Sequence, residues 1–243
     1  SYITPRTRMI ILCNPHNPYG VSYRKEDLEH IMALCEKYNL YIMNDEIWSD
    51  IIFPEAPFNS IYLLGNERCR RVMSVFGWSK SFGIAGMRIG CVYTTDPALF
   101  EGMVEKSDVM STAGGISSLS QIAGTACMHN YDWVDAFLVH LKGNRDYAVD
   151  RLKHMPLVKA YAPRATYLLY VDIRAFGMKS EDFTDYMKQK VKLALVSGGE
   201  KFFGQGSEGY IRICFATSRG ILEEGLNRLE QGIRMLMEEK GLH

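Results

Sequence analysis

Short apolar runs and helically spaced apolar positions alternate through the first part of the chain. Met9–Cys13 is a continuous, partly β-branched run, which is typical of a buried strand in a parallel sheet. Apolar residues then recur at helical spacing between residues 25 and 38. Further short strands are predicted at 40–43, 71–76 and 88–93. Strand, helix and strand in this order predict a βαβ unit and an α/β fold.

The segment between the third and fourth predicted strands is short. Residues 77–87 barely suffice for a crossover between parallel strands, which takes about a dozen residues or more. We therefore expect the fourth strand to run antiparallel to the third. Helices are predicted beyond it at 97–105, 117–129 and 132–154. The last of these is long for a globular helix, and we expect it to join two domains.

The pattern changes after the long helix. Short predicted strands alternate with predicted helices, the strands at 167–171, 194–196 and 210–215 and the helices at 180–190 and 219–239. Ser180 is a predicted N-cap, because its hydroxyl can accept a hydrogen bond from the first turn of the helix. This arrangement predicts a smaller α+β domain over residues 135–243, after a larger one over residues 1–134.

Composition and charge narrow the class of protein. The 243 residues are 47% hydrophobic, and 28 basic residues balance 28 acidic ones. No global field therefore favours nucleic acid or an anionic membrane as a partner. The six cysteines are widely spread and lack the spacing of a metal site, so we expect no metal and a reducing, cytoplasmic environment. The sequence contains no apolar stretch of the roughly 18 residues that span a bilayer.

Three polar clusters follow predicted strands, and ligands of α/β proteins bind at strand ends. They are Asn14–Gly20, Asp45–Trp48 and Ser79–Gly83. Each cluster alone is ordinary turn, cap or surface chemistry. Together they match the needs of pyridoxal 5′-phosphate (PLP), which requires an amine for covalent binding, a carboxylate for its pyridine nitrogen and anchors for its phosphate.

The same clusters resemble the motifs of a known family. N-P-x-N-P-x-G, D-E-x-aromatic and S-K-x-F-G, with an arginine eight residues after the lysine, are typical of the class I and II aminotransferases and their relatives, the fold-type I PLP enzymes. The resemblance extends over essentially the whole chain. It implies a partial PLP-dependent transferase-like fold, with a mostly parallel sheet covered by helices. Residues 1–134 would then be the C-terminal part of the large PLP-binding domain, and 135–243 the small C-terminal domain.

The resemblance also implies roles for individual residues. Lys80 would bind the cofactor covalently and then act as general acid and base at the substrate Cα. Asp45 would pair with the pyridine nitrogen, and Asn17 would donate a hydrogen bond to the O3′ phenolate. Arg88 would bind the cofactor phosphate with its guanidinium fork, and Ser79 would add a hydrogen bond to the same phosphate.

Two further positions complete the expected site. Residues 209–216 match the family's strand that carries the arginine for the substrate α-carboxylate, which makes Arg212 the substrate-binding residue. Trp48 stands beside the O3′ position, where the lyases of this group have histidine and ordinary aminotransferases have tyrosine. An indole N–H donates a hydrogen bond but does not titrate. The resemblance further implies a homodimer whose small-molecule substrate is an α-amino acid.

Within this superfamily, the carbon–sulfur lyases of the cystathionine β-lyase group are most similar. The similarity rests on the stretches Cys13–Pro18, Tyr131–Trp133, Asn144–Tyr147 and Ala165–Leu169. We therefore expect a β-elimination that releases a thiol, ammonia and a keto acid. An aminotransferase is the alternative, because Arg88 resembles the aminotransferase pattern more than the lyase pattern. Gly77, three residues before Lys80, departs from the aminotransferase pattern, which often has a phosphate-binding serine there. A non-catalytic relative or inactive fragment is a second alternative.

The resemblance finally implies that the family's N-terminal portion does not precede the first strand in this sequence. We expect the chain alone to expose sheet edges and apolar surface, and to be poorly active.

Overall fold

The computed structural model describes residues 2–111 and 113–242. Its first sheet contains four strands in sequence order, namely β1 (Met9–Cys13), β2 (Tyr41–Asp45), β3 (Val72–Phe76) and β4 (Cys91–Tyr93). Strands β1, β2 and β3 are parallel, and β4 is antiparallel to β3. The expected α/β class and the antiparallel fourth strand are confirmed.

Helix α1 (Lys25–Tyr38) covers one face of this sheet. It buries Leu28, Met32 and Cys35, which recur at helical spacing along one stripe. These side chains pack in one apolar cluster with Leu12, Ile42 and Val72 of the strands. The helix ends at Asn39, whose left-handed conformation (φ 56°) turns the chain towards β2.

The opposite face of the first sheet is exposed within its own unit. Ile11 is 75% exposed, and its register partner Met43 and Val92 of β4 are exposed as well. Alternation along the strands explains this pattern, because successive side chains point to opposite faces. An exposed apolar surface is what the sequence led us to expect.

The prediction that β4 begins at Arg88 is wrong. Residues Ala85–Met87 form a 3₁₀ turn, and Arg88 closes it in the left-handed region (φ 51°), so the strand begins three residues later. A glycine is required just before it, since a Cβ at Gly90 would lie 2.8 Å from the carbonyl oxygen of Phe76.

The second sheet has three antiparallel strands in the order β5–β7–β6. They are β5 (Leu168–Asp172), β6 (Val196–Ser197) and β7 (Tyr210–Cys214). Helices α5 (Ser180–Val191) and α7 (Arg219–Lys240) pack against each other, and a Cβ at Gly232 would overlap the Sδ atom of Met187. The close approach of the two helices therefore depends on this glycine.

The N-cap predicted at Ser180 is wrong by one position. Lys179 is the N-cap of α5, and Ser180 is the first helical residue. The Ser180 hydroxyl instead accepts hydrogen bonds from the N–H groups of Gly209 (2.8 Å) and Tyr210 (3.2 Å) at the start of β7. The hydroxyl thus accepts from N–H groups at the start of β7 rather than from the first turn of its own helix.

The remaining helices are α2 (Pro97–Lys106), α3 (Ser118–Met128), α4 (Tyr131–Lys153) and α6 (Glu200–Phe203). The described residues form two compact units. The first contains residues 2–16, 21–138 and 164–166, and the second contains 17–20, 139–163 and 167–242. The domain division at 134/135 stays a prediction, and its outermost residues, Ser1 and His243, lie outside the described residues. Within the described residues, none of the helices combines the length and the apolar character that a membrane crossing needs.

Candidate active site

The carboxyl ends of three parallel strands meet at one edge of the first sheet. Cys13 of β1 pairs in register with Asp45 of β2, which in turn pairs with Val75 of β3. Asp45 is the last residue of its strand, and the turn that carries Lys80 follows the end of β3. Parallel strands that end in register bring the residues after them to the same edge, where α/β proteins bind ligands.

Lys80 lies beside an aromatic ring in the turn after β3. Its Nζ atom is 5.4 Å from the centroid of the Trp48 ring, within the range of a cation–π contact. Trp48 is only 4% exposed, so it is a fixed wall, and Lys80 is half-buried. In the part of the chain that the structure describes, no carboxylate forms an ion pair with Lys80. The structure thus brings two of the predicted site residues together.

The Asp45 carboxylate is oriented by its own backbone. Its Oδ1 atom accepts a hydrogen bond from the N–H of Ile47 at 3.0 Å, and the side chain is half-buried. A hydrogen bond to one oxygen restricts the rotation of the carboxylate and leaves the other oxygen able to accept from a ligand. Such an acid can pair with a cationic nitrogen.

The turn that carries Lys80 is held by a residue that sequence reasoning missed. The hydroxyl of Ser81, which is fully buried, donates to Oδ2 of Asp50 at 2.5 Å. Tyr131 donates to the same oxygen at 3.3 Å, and burial, together with the Asp50 charge, raises the pKa of Tyr131. Asp50 lies five residues after Asp45, and no local spacing signals a partner 31 residues away.

Phe82 anchors the other side of this turn. Its ring stacks on Trp133 at 5.5 Å and meets Tyr131 edge-on at 5.8 Å, both near the start of α4. Aromatic pairs at these distances add to the stability of the residues that carry them. The turn is therefore fixed on both sides of Ser81.

A buried carboxylate follows Asp45 directly. Glu46 accepts hydrogen bonds from the hydroxyls of Ser60 and Tyr93, each at 2.7 Å. Burial raises the pKa of Tyr93, and the adjacent Glu46 charge raises it further. Each oxygen of this buried carboxylate thus has a donor, as burial of a charge requires. The interaction fixes the chain on the C-terminal side of Asp45.

The two predicted phosphate anchors occupy different settings. Ser79 is half-buried beside Lys80, whereas Arg88 is exposed and left-handed after the 3₁₀ turn. Gly77 closely approaches the segment that precedes β4. A Cβ there would lie 3.2 Å from the carbonyl oxygen of Ile89, so a larger residue needs a local adjustment.

In the second unit, Arg212 and Asn17 lie in contact. Nη1 of Arg212, on β7, donates to Oδ1 of Asn17 at 3.1 Å. Asn17 precedes a proline, and the Asn14–Pro15 and Asn17–Pro18 peptide bonds are both cis. Of the predicted residues, Arg212 and Asn17 thus belong to the second unit, and Asp45, Trp48, Ser79, Lys80 and Arg88 belong to the first.

Comparison with known proteins identifies one family along most of the chain. A family model described as aminotransferase class I and II matches residues 2–229. An aspartate aminotransferase of Pyrococcus horikoshii is 31% identical over 95% of this chain and 58% of its own length. The cystathionine beta-lyase PatB of Bacillus subtilis is 29% identical over 94% of this chain and 59% of its own length.

Two solved structures that contain PLP are similar to this chain as well. A PLP-bound putative aminotransferase from Clostridium difficile 630 superposes with a TM-score of 0.87 at 33% identity, over 93% of this chain and 58% of that one. Cystalysin from Treponema denticola, whose structure contains PLP, has a TM-score of 0.87 at 25% identity, over 94% of this chain and 58% of that one. The chain thus spans somewhat less than three fifths of the length of each of these four relatives.

Proposed function

Because the chain belongs to the aminotransferase class I and II family, we propose that it forms the PLP-binding and carboxylate-binding part of an enzyme that acts on α-amino acids. The observation that carries this proposal is the edge of the first sheet. There an amine without a carboxylate partner among the described residues, Lys80, and an oriented carboxylate, Asp45, follow adjacent parallel strands.

The donor set at this edge fits PLP. The cofactor supplies, when bound, an electron-withdrawing ring that stabilises negative charge at the Cα of an amino acid. Lys80 would hold it covalently, Asp45 would keep its pyridine nitrogen protonated, and Trp48 would form an apolar wall beside the amine. Ser79 and Arg88 would bind the phosphate.

The remaining roles concern the substrate. Lys80 Nζ would take the proton from Cα, as a lysine amine positioned within reach of the reacting carbon can do. In the second unit, Arg212 would bind the α-carboxylate with its guanidinium, and Asn17 would orient Arg212 and donate a hydrogen bond to the cofactor's O3′ oxygen.

The reaction that we favour is β-elimination at a carbon–sulfur bond of a cystathionine-type or cysteine-conjugate substrate. Relatives that include the cystathionine beta-lyase PatB and cystalysin support this choice. Amino transfer to a 2-oxo acid is the second candidate, and the aspartate aminotransferase of Pyrococcus horikoshii supports it. A cytoplasmic homodimer is part of the same proposal.

Covalent labelling tests the cofactor site. A protein that contains this chain is incubated with PLP, reduced with borohydride and digested, and the modified peptide is identified by mass spectrometry. We expect the label on Lys80 and its loss in Lys80→Ala. Lys106→Ala, a control at an exposed lysine that pairs with Glu105, should keep it. A label that survives Lys80→Ala would disprove the assignment.

A product assay separates the two reactions. Cystathionine and the loaded protein should release pyruvate and thiol without any added 2-oxo acid if the protein is a lyase. Release of product only when a 2-oxo acid is supplied would favour the aminotransferase instead. Arg212→Gln should weaken either reaction through a higher KM, because it removes the carboxylate-binding group.

A further inference from the structure

Arg212 lies among aromatic side chains on one face of the second sheet. It pairs in register with Tyr170 of β5 and is two residues from Tyr210 on its own strand. The buried Ile211 and Ile213 point to the other face. Alternation along β7 thus places Tyr210 and Arg212 on the same side, with the Tyr170 side chain beside them.

Four rings form a connected group around this arginine. Tyr170 stacks on Tyr210 with centroids 4.8 Å apart, and it contacts Tyr19 (5.3 Å) and Phe203 (5.6 Å) edge-to-face. The Arg212 guanidinium carbon lies 5.4 Å from the centroid of Phe203, which is a cation–π distance. The guanidinium is thus flanked by ring surface as well as by the amide of Asn17.

Tyr19 and Phe203 are the outer members of this group. Tyr19 is 55% exposed, although it lies only two residues after Asn17, whose side chain contacts Arg212. Phe203 is half-buried. The Tyr170 ring is enclosed by the other three, and its hydroxyl donates to the carbonyl of Ser207 at 3.3 Å. Tyr19 and Phe203 therefore offer the ring surface that a ligand on Arg212 can reach.

Arg174, whose guanidinium carbon lies 5.1 Å from the centroid of the Tyr210 ring, is already paired with a carboxylate. Asp172, the register partner of Tyr210, binds Arg174 through two hydrogen bonds of 3.0 and 2.6 Å. A second anionic group of a ligand would therefore meet a cation that is already neutralised. An apolar group of the ligand would instead contact the rings of Tyr19 and Phe203.

From this geometry we propose that Tyr19 and Phe203 select amino acids with apolar, aromatic or thioether side chains and disfavour those whose side chain carries a net negative charge, such as aspartate. The inference rests on the proposed function, because it takes Arg212 as the α-carboxylate site. A pocket that gains or loses a few methylene contacts discriminates by roughly 10- to 200-fold. Burying a second carboxylate against rings without a free partner is unfavourable.

Binding measurements test the selection without relying on turnover. The PLP-loaded protein that carries this chain is titrated calorimetrically with L-methionine, L-phenylalanine and L-aspartate. We expect methionine and phenylalanine to bind at least about tenfold more tightly than aspartate. Tyr19→Ala and Phe203→Ala should each reduce this ratio several-fold, and Tyr19→Phe should retain it because the ring remains.

Phe202→Ala is the matched control. Phe202 is the neighbour of Phe203 on the same short helix and is 52% exposed, and its ring centroid is 6.5 Å from that of Phe203. Phe202→Ala should leave the ratio of the affinities for phenylalanine and aspartate unchanged. Arg212→Gln should weaken the binding of all three amino acids to a similar extent. Melting temperatures measured on each variant show that it is still folded.

The possible results separate the selection from the function beneath it. Aspartate that binds as tightly as phenylalanine, or an unchanged ratio in both Tyr19→Ala and Phe203→Ala, overturns the selection while Lys80 labelling leaves the proposed function standing. Absence of the Lys80 label together with absence of amino-acid binding overturns both.

Discussion

The guanidinium of Arg212 donates a hydrogen bond to the amide oxygen of Asn17 at 3.1 Å, although 195 residues separate them. An asparagine side chain has one acceptor oxygen and two N–H donors. Because the oxygen faces Arg212, the Nδ2 group is the part that can donate to a ligand. The proposed hydrogen bond from Asn17 to the cofactor's O3′ oxygen requires this orientation.

Asn17→Ala should weaken amino-acid binding by roughly 10- to 100-fold. A hydrogen bond to a charged group contributes about 1.5–3 kcal/mol, and about 1.4 kcal/mol corresponds to a tenfold change in affinity. The truncation removes the acceptor that holds the guanidinium in place. Calorimetric titration of the PLP-loaded protein with L-phenylalanine measures the effect.

A similar pair elsewhere in the second unit supplies the control. Nη2 of Arg151, on α4, donates to Oδ1 of Asn227, on α7, at 2.9 Å. Asn227→Ala removes the same type of contact and should leave the affinity for phenylalanine unchanged. Equal losses in the two variants would show that the Asn17 effect is not specific to the Arg212 site.

Asp50→Ala should destabilise the turn that carries Lys80. The variant leaves the fully buried Ser81 hydroxyl without its acceptor, which costs about 1–3 kcal/mol in the free energy of unfolding. The looser turn should also slow borohydride-trapped labelling of Lys80 by PLP. Urea unfolding and the time course of labelling measure the two effects.

Asp50→Asn keeps an acceptor oxygen. It should therefore lose less unfolding free energy and less of the labelling rate than Asp50→Ala. The double variant Asp50→Ala/Ser81→Ala should be no less stable than Asp50→Ala, because the unpaired hydroxyl is then gone. Asp135→Ala, at an exposed carboxylate in α4, is the control. Additive losses in the double variant would contradict a direct contribution of the Asp50–Ser81 hydrogen bond.

The sequence predicted the elements well because each has a strong local pattern. The stripe of Leu28, Met32 and Cys35 identifies α1, and the run Met9–Cys13 identifies β1. The βαβ unit followed from their order. The shortness of segment 77–87 also sufficed to predict an antiparallel β4.

Contacts between distant segments could not be predicted in this way. The hydrogen bond between Asp50 and Ser81, and the ring contact between Tyr19 and Tyr170, depend on how the chain folds back on itself. Residue type and spacing carry no information about such partners. The motifs predict Lys80 and Arg212 as site residues, but the side chains that contact them or their turn became apparent only from the three-dimensional arrangement.

Ser180 shows the same limit, because a helix start was predicted there, but Ser180 is the first helical residue rather than the N-cap, and the partner of its hydroxyl was not predicted. The first N–H of α5 donates instead to Oε1 of Glu208, at 2.5 Å, and the N–H of Gly209 donates to the same oxygen at 3.2 Å. A carboxylate at a helix N-terminus is favoured by the unpaired N–H groups and the helix dipole. Glu208 therefore joins the start of α5 to the start of β7, the strand that carries Arg212.

Glu208→Gln should lower the free energy of unfolding at neutral pH. This free energy should also depend less on pH than it does in the parent protein. The hydrogen bonds from Ser180, its backbone N–H first, hold the pKa of Glu208 below its ordinary 4.5. A carboxyl group with a lowered pKa in the folded state stabilises the fold above its ordinary pKa, and this contribution disappears as pH falls through the folded-state value. The difference in unfolding free energy between the parent and Glu208→Gln should therefore be largest near neutral pH and shrink as the pH falls through the lowered folded-state pKa of Glu208. Urea titrations at several pH values measure it, with Glu101→Gln, an exposed position on α2, as the control. A difference that stays constant over the whole range would mean that the ionised carboxylate at α5 contributes nothing, and that the amide caps the helix equally well.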